Sequence, residues 1–164
     1  MMQFGANDNG GKGALKGTGE ETQEAEGTVV HTFGWYLRQY VKEAREKGAV
    51  PVICSLTPRK SLGADGHFQR ANSTHVAWAA EVAKEQGVPF VDLYELIARQ
   101  HEKLGAAKVD LLYVPTPTEK LHPGWDGAVL DAECVVAGLK GLKANPLGAC
   151  LSKRGQAIAP AATP

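Results

Sequence analysis

Residues 50–54 read Val-Pro-Val-Ile-Cys, and residues 88–92 read Val-Pro-Phe-Val-Asp. Each stretch is a short apolar run that follows a turn signal, since Gly48 stands before the first and Gly87 before the second. Apolar runs of this length are typical of strands buried on both faces of a parallel sheet. The two stretches therefore predict two parallel strands, and residues 1–4 predict the end of an earlier one.

Four helical patterns surround these strands, each with apolar residues recurring at three- and four-residue steps. The predicted helices span residues 28–47, 73–86, 93–104 and 124–142. Thr28 is the predicted N-cap of the first helix, and Gly48 ends it in a left-handed turn. Ser73 or Thr74 caps the second helix.

Strands that alternate with helices at this spacing predict an α/β fold, with α/β/α layers around a parallel sheet. Between these elements, residues 5–27 are predicted as a long surface loop, and residues 109–114 as a strand or an extended loop. Residues 1–145 are expected to form one domain, and residues 146–164 a flexible tail.

The composition is that of a globular protein without charge bias. The 164 residues carry 18 Lys and Arg against 18 Asp and Glu, so no basic surface indicates nucleic acid as a partner. No apolar run reaches the length of a membrane span, and the start shows no secretory signal. Cys54, Cys134 and Cys150 fit either free thiols or a Cys134–Cys150 disulfide. The oligomeric state stays open.

Phosphate and metal sites find no support in the sequence. No window matches the glycine pattern of a phosphate-binding or dinucleotide-binding loop. His31, His67 and His75 lie in separate segments without ligand spacing and read as ordinary surface or half-buried residues. We therefore expect neither a metal nor a cofactor.

Two segments follow predicted strands, and a third segment, which precedes the last helix, contains an acid-x-x-histidine pair. Ligands bind beyond the carboxyl ends of parallel strands, which places residues 5–8 and residues 55–59 at the candidate site. Glu119 precedes His122 by three residues. A carboxylate at that spacing can hold the imidazole Nδ1–H, so that Nε2 acts as a general base.

The stretch Phe4-Gly5-Ala6-Asn7-Asp8, followed by Glu119 and His122, resembles the SGNH (GDSL-type) hydrolases. It is most similar to their rhamnogalacturonan acetylesterase branch, carbohydrate esterase family twelve. The resemblance runs from residue 1 to about residue 142, and it implies a flavodoxin-like fold. It also includes Gly17-Thr-Gly-Glu-Glu-Thr22, Thr32-Phe-Gly-Trp-Tyr-Leu37, Thr57-Pro-Arg59 and Gly87-Val-Pro-Phe-Val-Asp92.

The resemblance implies a role for each matching residue. In the family a serine attacks an ester carbonyl, a histidine acts as base, and an acid orients the histidine. Carried over by position, His122 is the base, Glu119 the orienting acid and Asn7 the oxyanion-hole donor. Gly5 and Trp125 are expected at the substrate. The implied substrate is an acetylated pectic polysaccharide of the rhamnogalacturonan type, and the implied location of the parent protein is secreted or periplasmic.

Two departures from the family pattern stand out. Glu119 replaces the usual aspartate, a change that other hydrolase folds accept. More seriously, the chain has no Gly-Asp-Ser block and no second-block glycine. Ser55 ends a strand at a position where the family has a structural residue. We therefore expect a chain that starts partway through the domain and lacks its first strands, either through a late gene model or a true truncation. Such a chain is expected to be inactive or poorly soluble.

A non-catalytic carbohydrate-binding or interaction module is the alternative hypothesis, and an inert gene product is a third. A binding module needs exposed aromatic side chains. Trp35 and Trp78 fall within predicted helices and are expected in or near the core, whereas Trp125 is expected at the substrate cleft.

Overall fold

A computed structural model describes most of the chain and divides it into two compact units. The first unit comprises residues 1–56 and 73–91, and the second comprises residues 57–72 and 92–164. The described residues are 1–6, 8, 14–25, 27–70, 74–116 and 120–162.

The first unit contains a three-stranded parallel sheet, a two-stranded antiparallel hairpin and two helices. Its strands are β1 (Met2–Gln3), β2 (Thr22–Ala25), β3 (Thr28–His31), β4 (Ile53–Cys54) and β5 (Phe90–Val91), and its helices are α1 (Phe33–Glu46) and α2 (Thr74–Gln86). The sheet order is β1-β4-β5, with Met2 opposite Ile53 and Ile53 opposite Phe90. The α/β class predicted from the two apolar runs is confirmed.

The core of the first unit lies between the sheet and its two helices. Helix α1 contributes an apolar stripe at three- and four-residue spacing, and α2 contributes small and β-branched side chains that let the helices approach closely. The buried cluster consists of Phe33, Leu37, Val41, Ile53, Ala79, Val82 and Ala83.

The start of the first helix was predicted wrongly. Thr28 begins β3, which pairs antiparallel with β2 through a turn at Gly27 with φ of 76°. The hairpin forms because its partner strand satisfies the backbone of the β-branched run from Thr28. Thr32 is the actual N-cap, and its buried hydroxyl accepts from the Trp35 N–H at 3.1 Å. Gly48 follows the helix with φ of 71°, as predicted.

The second unit is helical. Its helices are α3 (Leu93–Leu104), α4 (Ala106–Asp110), α5 (Trp125–Gly141) and α6 (Lys153–Ala157). Helix α3 has the predicted bounds, and the Asp92 side chain caps it by accepting from the Glu95 N–H at 3.1 Å. Helix α4 includes residues 109 and 110 of the predicted strand or extended loop, because the Gly105 carbonyl accepts from the Val109 N–H at 3.1 Å. Residues 111 and 112 form a turn, and Tyr113 forms an isolated bridge with Pro123.

Residues 146–162 contain ordered elements beside α5. A 3-10 helix spans Gly148–Cys150, and α6 follows it. The Lys140 ammonium donates to the carbonyls of Gln156 and Ile158, and the Ala161 N–H donates to the Ala137 carbonyl at 2.8 Å. The division into a domain and a flexible tail at residue 145 stays a prediction. Within the part of the chain that is described, no helix has the length and apolarity needed to cross a bilayer.

Candidate active site

The predicted site residues fall in three groups. Gly5 lies in the first unit, whereas His122 and Trp125 lie in the second. Asn7 and Glu119, the predicted oxyanion donor and orienting acid, lie outside the described residues. We call residues 4–8 the first loop and residues 120–124 the second loop, and describe each in its own unit.

Gly5 begins the first loop in a conformation that only glycine adopts easily. It comes two residues after the end of β1, is buried, and has φ of 115°. A Cβ atom at this position would lie 3.2 Å from the Cβ of His75. The loop therefore leaves the sheet through a turn packed directly against one histidine side chain.

His75 is the site-adjacent residue that the sequence analysis missed. It is only 5% exposed, and its imidazole meets the Phe33 and Trp78 rings edge-on at centroid distances of 5.0 and 4.8 Å. Burial lowers its pKa, the Asp8 carboxylate raises it, and Lys16 lowers it further, with a net lowering. The signal in the sequence was the helical spacing from His75 to Ala79 and Val82, which places all three on the buried face.

A cleft of about 310 Å³ lies beside the first loop. Aromatic and aliphatic side chains line most of it, and the Phe4 and Tyr40 rings stack there at 4.9 Å. Asp8 adds an acidic residue to this lining. The lining residues are Phe4, Asp8, Ala14, Val30, Phe33, Tyr36, Leu37 and Tyr40.

His122 lies exposed on the second loop, whose backbone is held by residues 112–114. The His122 carbonyl accepts from the Val114 N–H at 3.4 Å, and the Gly124 N–H donates to the Leu112 carbonyl at 2.8 Å. Tyr113 and Pro123 form an antiparallel bridge between these two hydrogen bonds. Backbone pairing thus fixes the loop, and His122 is an exposed residue on it.

Helix α5 begins immediately after the second loop. Gly127 packs against residue 112 so closely that a Cβ atom would lie 2.3 Å from the Leu112 carbonyl oxygen. Trp125, the first residue of α5, is 83% exposed, and Leu111 is 80% exposed. An exposed indole on a braced helix terminus three residues from His122 can offer a flat apolar face to a ligand.

The other tryptophans are partly buried. Trp35 stacks on the His31 ring at 3.7 Å, and Trp78 packs against the core of the first unit. Both lie within helices, in or near the core as expected.

Ser55, Ser152 and Cys134 do not offer a nucleophile. Ser55 is fully buried, and its N–H donates to the Val91 carbonyl at 3.0 Å, which fits a structural role. Ser152 caps α6 by accepting from the Gly155 N–H at 3.2 Å. All three cysteines are free thiols, and burial raises the pKa of Cys134 to about 12, so that it stays protonated.

Comparison with known proteins gives a family match. Residues 1–130 match the model of the GDSL-like lipase/acylhydrolase family. This match covers most of the chain, including Gly5, His122 and Trp125. The predicted resemblance is therefore confirmed.

Two individual proteins are similar to this chain. Rhamnogalacturonan acetylesterase RhgT of Bacillus subtilis (strain 168) is 28% identical over 133 residues, which are 80% of this chain and 50% of that protein. The chain thus spans about half the length of that relative. The crystal structure of protein YXIM from Bacillus subtilis is similar with a TM-score of 0.58 and 24% identity, over 63% of this chain and 29% of that one. This structural likeness supports the fold.

Proposed function

The chain belongs to the GDSL-like lipase/acylhydrolase family, and from this premise we propose that it is the histidine-bearing part of an esterase that removes acetyl groups from a carbohydrate. One observation carries the proposal: His122 is an exposed histidine on a loop fixed by backbone pairing. The similarity to a rhamnogalacturonan acetylesterase supports an acetylated pectic substrate. Secretion or export to the periplasm is part of the same proposal.

The proposed reaction uses His122, Glu119 and Asn7 in the roles that the family resemblance implies. His122 Nε2 takes the proton of a serine hydroxyl as that oxygen attacks the acetyl carbonyl, and Glu119 holds Nδ1–H. The Asn7 amide donates to the oxyanion. His122 then gives its proton to the departing sugar oxygen, leaving an acetyl-serine. Water, deprotonated by His122, releases acetate and restores the serine.

The nucleophile has no assigned residue in this chain. No Gly-Asp-Ser sequence occurs in residues 1–164. We therefore propose that the 164-residue chain alone does not turn over acetyl esters, and that a segment carrying Gly-Asp-Ser is needed for activity. Without the nucleophile, only the residual effect of binding and oxyanion stabilisation remains.

Trp125 is the proposed sugar contact. Its indole is 83% exposed beside the second loop, and an aromatic face of this kind stacks on the C–H face of a pyranose ring. The same exposure favours the second candidate function, a carbohydrate-binding module without catalysis. That module would retain acetylated pectin fragments without releasing acetate.

The upstream DNA and an acetyl-ester assay test the proposal together. The DNA before the Met1 codon is read for an in-frame Gly-Asp-Ser, and the longer protein is assayed with p-nitrophenyl acetate and acetylated rhamnogalacturonan. We expect His122→Ala to lower kcat by at least roughly 10³-fold. His67→Ala, which removes another exposed histidine of the second unit, should leave kcat unchanged. Turnover that His122→Ala does not alter would refute the assignment.

A further inference from the structure

We propose that His75 is a positioning residue for the first loop. Its neutral imidazole supports the turn at Gly5 by packing against it, and protonation of the ring displaces that turn. The structural part of this proposal concerns Gly5 and His75 alone. Its meaning for catalysis rests on the proposed function, because Asn7, the proposed oxyanion donor, stands two residues after Gly5.

The contact between Gly5 and His75 is close along the whole inner part of the side chain. A Cβ atom on Gly5 would lie 3.2 Å from Cβ, 3.5 Å from Cγ and 3.6 Å from Cδ2 of His75. Gly5 therefore lies next to the His75 side chain, and a methyl group at this position would press on the His75 Cβ while meeting the ring at ordinary contact distance. A shift of the ring must move the Gly5 turn as well.

Aromatic rings confine the imidazole on its other sides. Phe33 of α1 meets it at 90° and Trp78 of α2 at 73°, and Phe33 belongs to the buried core cluster. Because close-packed interiors deform little, a displacement of His75 towards either ring costs packing energy. The first loop should move more easily than the two rings, because it follows β1, a strand of only two residues.

The charges around His75 favour the neutral ring. Asp8 in the first loop favours the imidazolium, whereas Lys16 opposes it, and α1 presents only the apolar Phe33 ring. His75 is the second residue of α2, where the helix N-terminus disfavours a positive charge. Burial is the largest influence and lowers the pKa.

The buried Nδ1 atom explains why protonation should move the loop. Among the residues described, His75 Nδ1 has no hydrogen-bond partner. An imidazolium donates from both nitrogens, so the charged ring needs an acceptor or water at Nδ1. To reach water the charged ring must leave its present position, and this movement would change the support beneath the Gly5 turn.

An NMR titration of the 164-residue chain between pH 7.5 and 5 tests the structural part. The His75 ring should titrate below the ordinary imidazole pKa of 6.5, and the Gly5 and Ala6 amides should shift with the same midpoint as His75. In His75→Phe, which stays neutral and keeps the aromatic contacts, the acid-dependent shift of Gly5 should disappear. His75→Gln serves as a second neutral variant should the phenylalanine ring not fit.

The control and the contrary results are equally direct. His67→Ala should leave the Gly5 titration unchanged, because His67 lies in the second unit. A His75 midpoint at or above 6.5, or a Gly5 amide that does not follow His75, would overturn the proposal whether or not any esterase activity is found.

A kinetic arm then tests the catalytic meaning in the longer, active protein. Wild-type kcat should fall on acidification with the His75 midpoint at unchanged KM, and His75→Phe should remove that part of the pH profile. If the NMR link holds but kcat in His75→Phe keeps the full acid dependence, His75 holds the loop without influencing the reaction.

Discussion

The two loops that carry the predicted site are held in opposite ways. In the first unit, Gly5 is buried and rests on the His75 side chain, so side-chain packing sets the direction of the first loop. In the second unit, backbone pairing with residues 112–114 holds the second loop, and His122 stays exposed. Changes in the His75 side chain should therefore move the first loop, whereas changes in the backbone of residues 112–114 should move the second.

Acid sensitivity gives the largest expected effect, because each unit also buries a histidine. His101 in α3 is 2% exposed, and burial lowers its pKa from 6.5 to about 4. Between these values the unfolded chain binds the proton and the folded chain does not. The stabilisation is thus present above pH 6.5 and is lost as the pH falls towards 4, by roughly 3 kcal/mol at most. Urea unfolding at several pH values measures this loss.

His101→Phe provides the control for the acid effect. Its ring would face the same Phe68 and Tyr113 rings, at present 5.7 and 6.0 Å from the imidazole, without a group that titrates. The pH dependence should shrink in this variant. An undiminished loss of stability would assign the effect to other groups.

Gly127→Ala should be the most damaging single substitution near the second loop. The new methyl group would lie 2.3 Å from the Leu112 carbonyl oxygen, and this backbone atom cannot rotate away. We expect a loss of about 2 to 3 kcal/mol in the free energy of unfolding. Gly124→Ala is the matched control, since its methyl group would meet the same oxygen at an ordinary 3.6 Å. Equal losses in both variants would contradict the close-packing argument.

Gly5→Ala should cost about 2 kcal/mol through backbone strain and the contact with His75. Gly17→Ala separates the two contributions, because Gly17 has a similar φ of 102° and no atom near its missing Cβ. The larger loss in Gly5→Ala measures the contact with His75. Thermal unfolding of both variants measures the two losses of stability. A loss in Gly17→Ala as large as that in Gly5→Ala would contradict the proposed contact between Gly5 and His75.

Arg38→Ala should show the smallest of these effects, about 1 kcal/mol. The guanidinium is 15% exposed, donates to the Thr18 carbonyl at 2.7 Å and forms ion pairs with Glu20 and Glu85. It ties the segment before β2 to α1, so side chains hold the chain here as they do at Gly5. Lys42→Ala, which removes an exposed pair, should change the melting temperature less.

Local signals in the sequence predicted the elements whose ends are marked by caps. Helix α3 has its predicted bounds, residues 93–104, and the structure adds that the Asp92 side chain and Gly105 mark its two ends. Thr28 was misassigned as a cap because the pairing partner of β3 lies several residues upstream. Helix periodicity in the run from Thr28 could not reveal that a hairpin would form there.

The sequence by itself determined the α/β class, the family and the candidate residues His122, Glu119, Asn7, Gly5 and Trp125, because apolar runs and ordered motifs are properties of the chain. Tertiary structure alone decided that His75 lies beneath Gly5 and that residues 112–114 hold the second loop. The contact of Gly5 with His75 joins segments distant in the chain, whereas the pairing at the second loop joins neighbouring segments, and both depend on how the elements pack. The sequence does not show whether a histidine is exposed or buried. Only its neighbours in space determine whether the neutral or the protonated imidazole is stable.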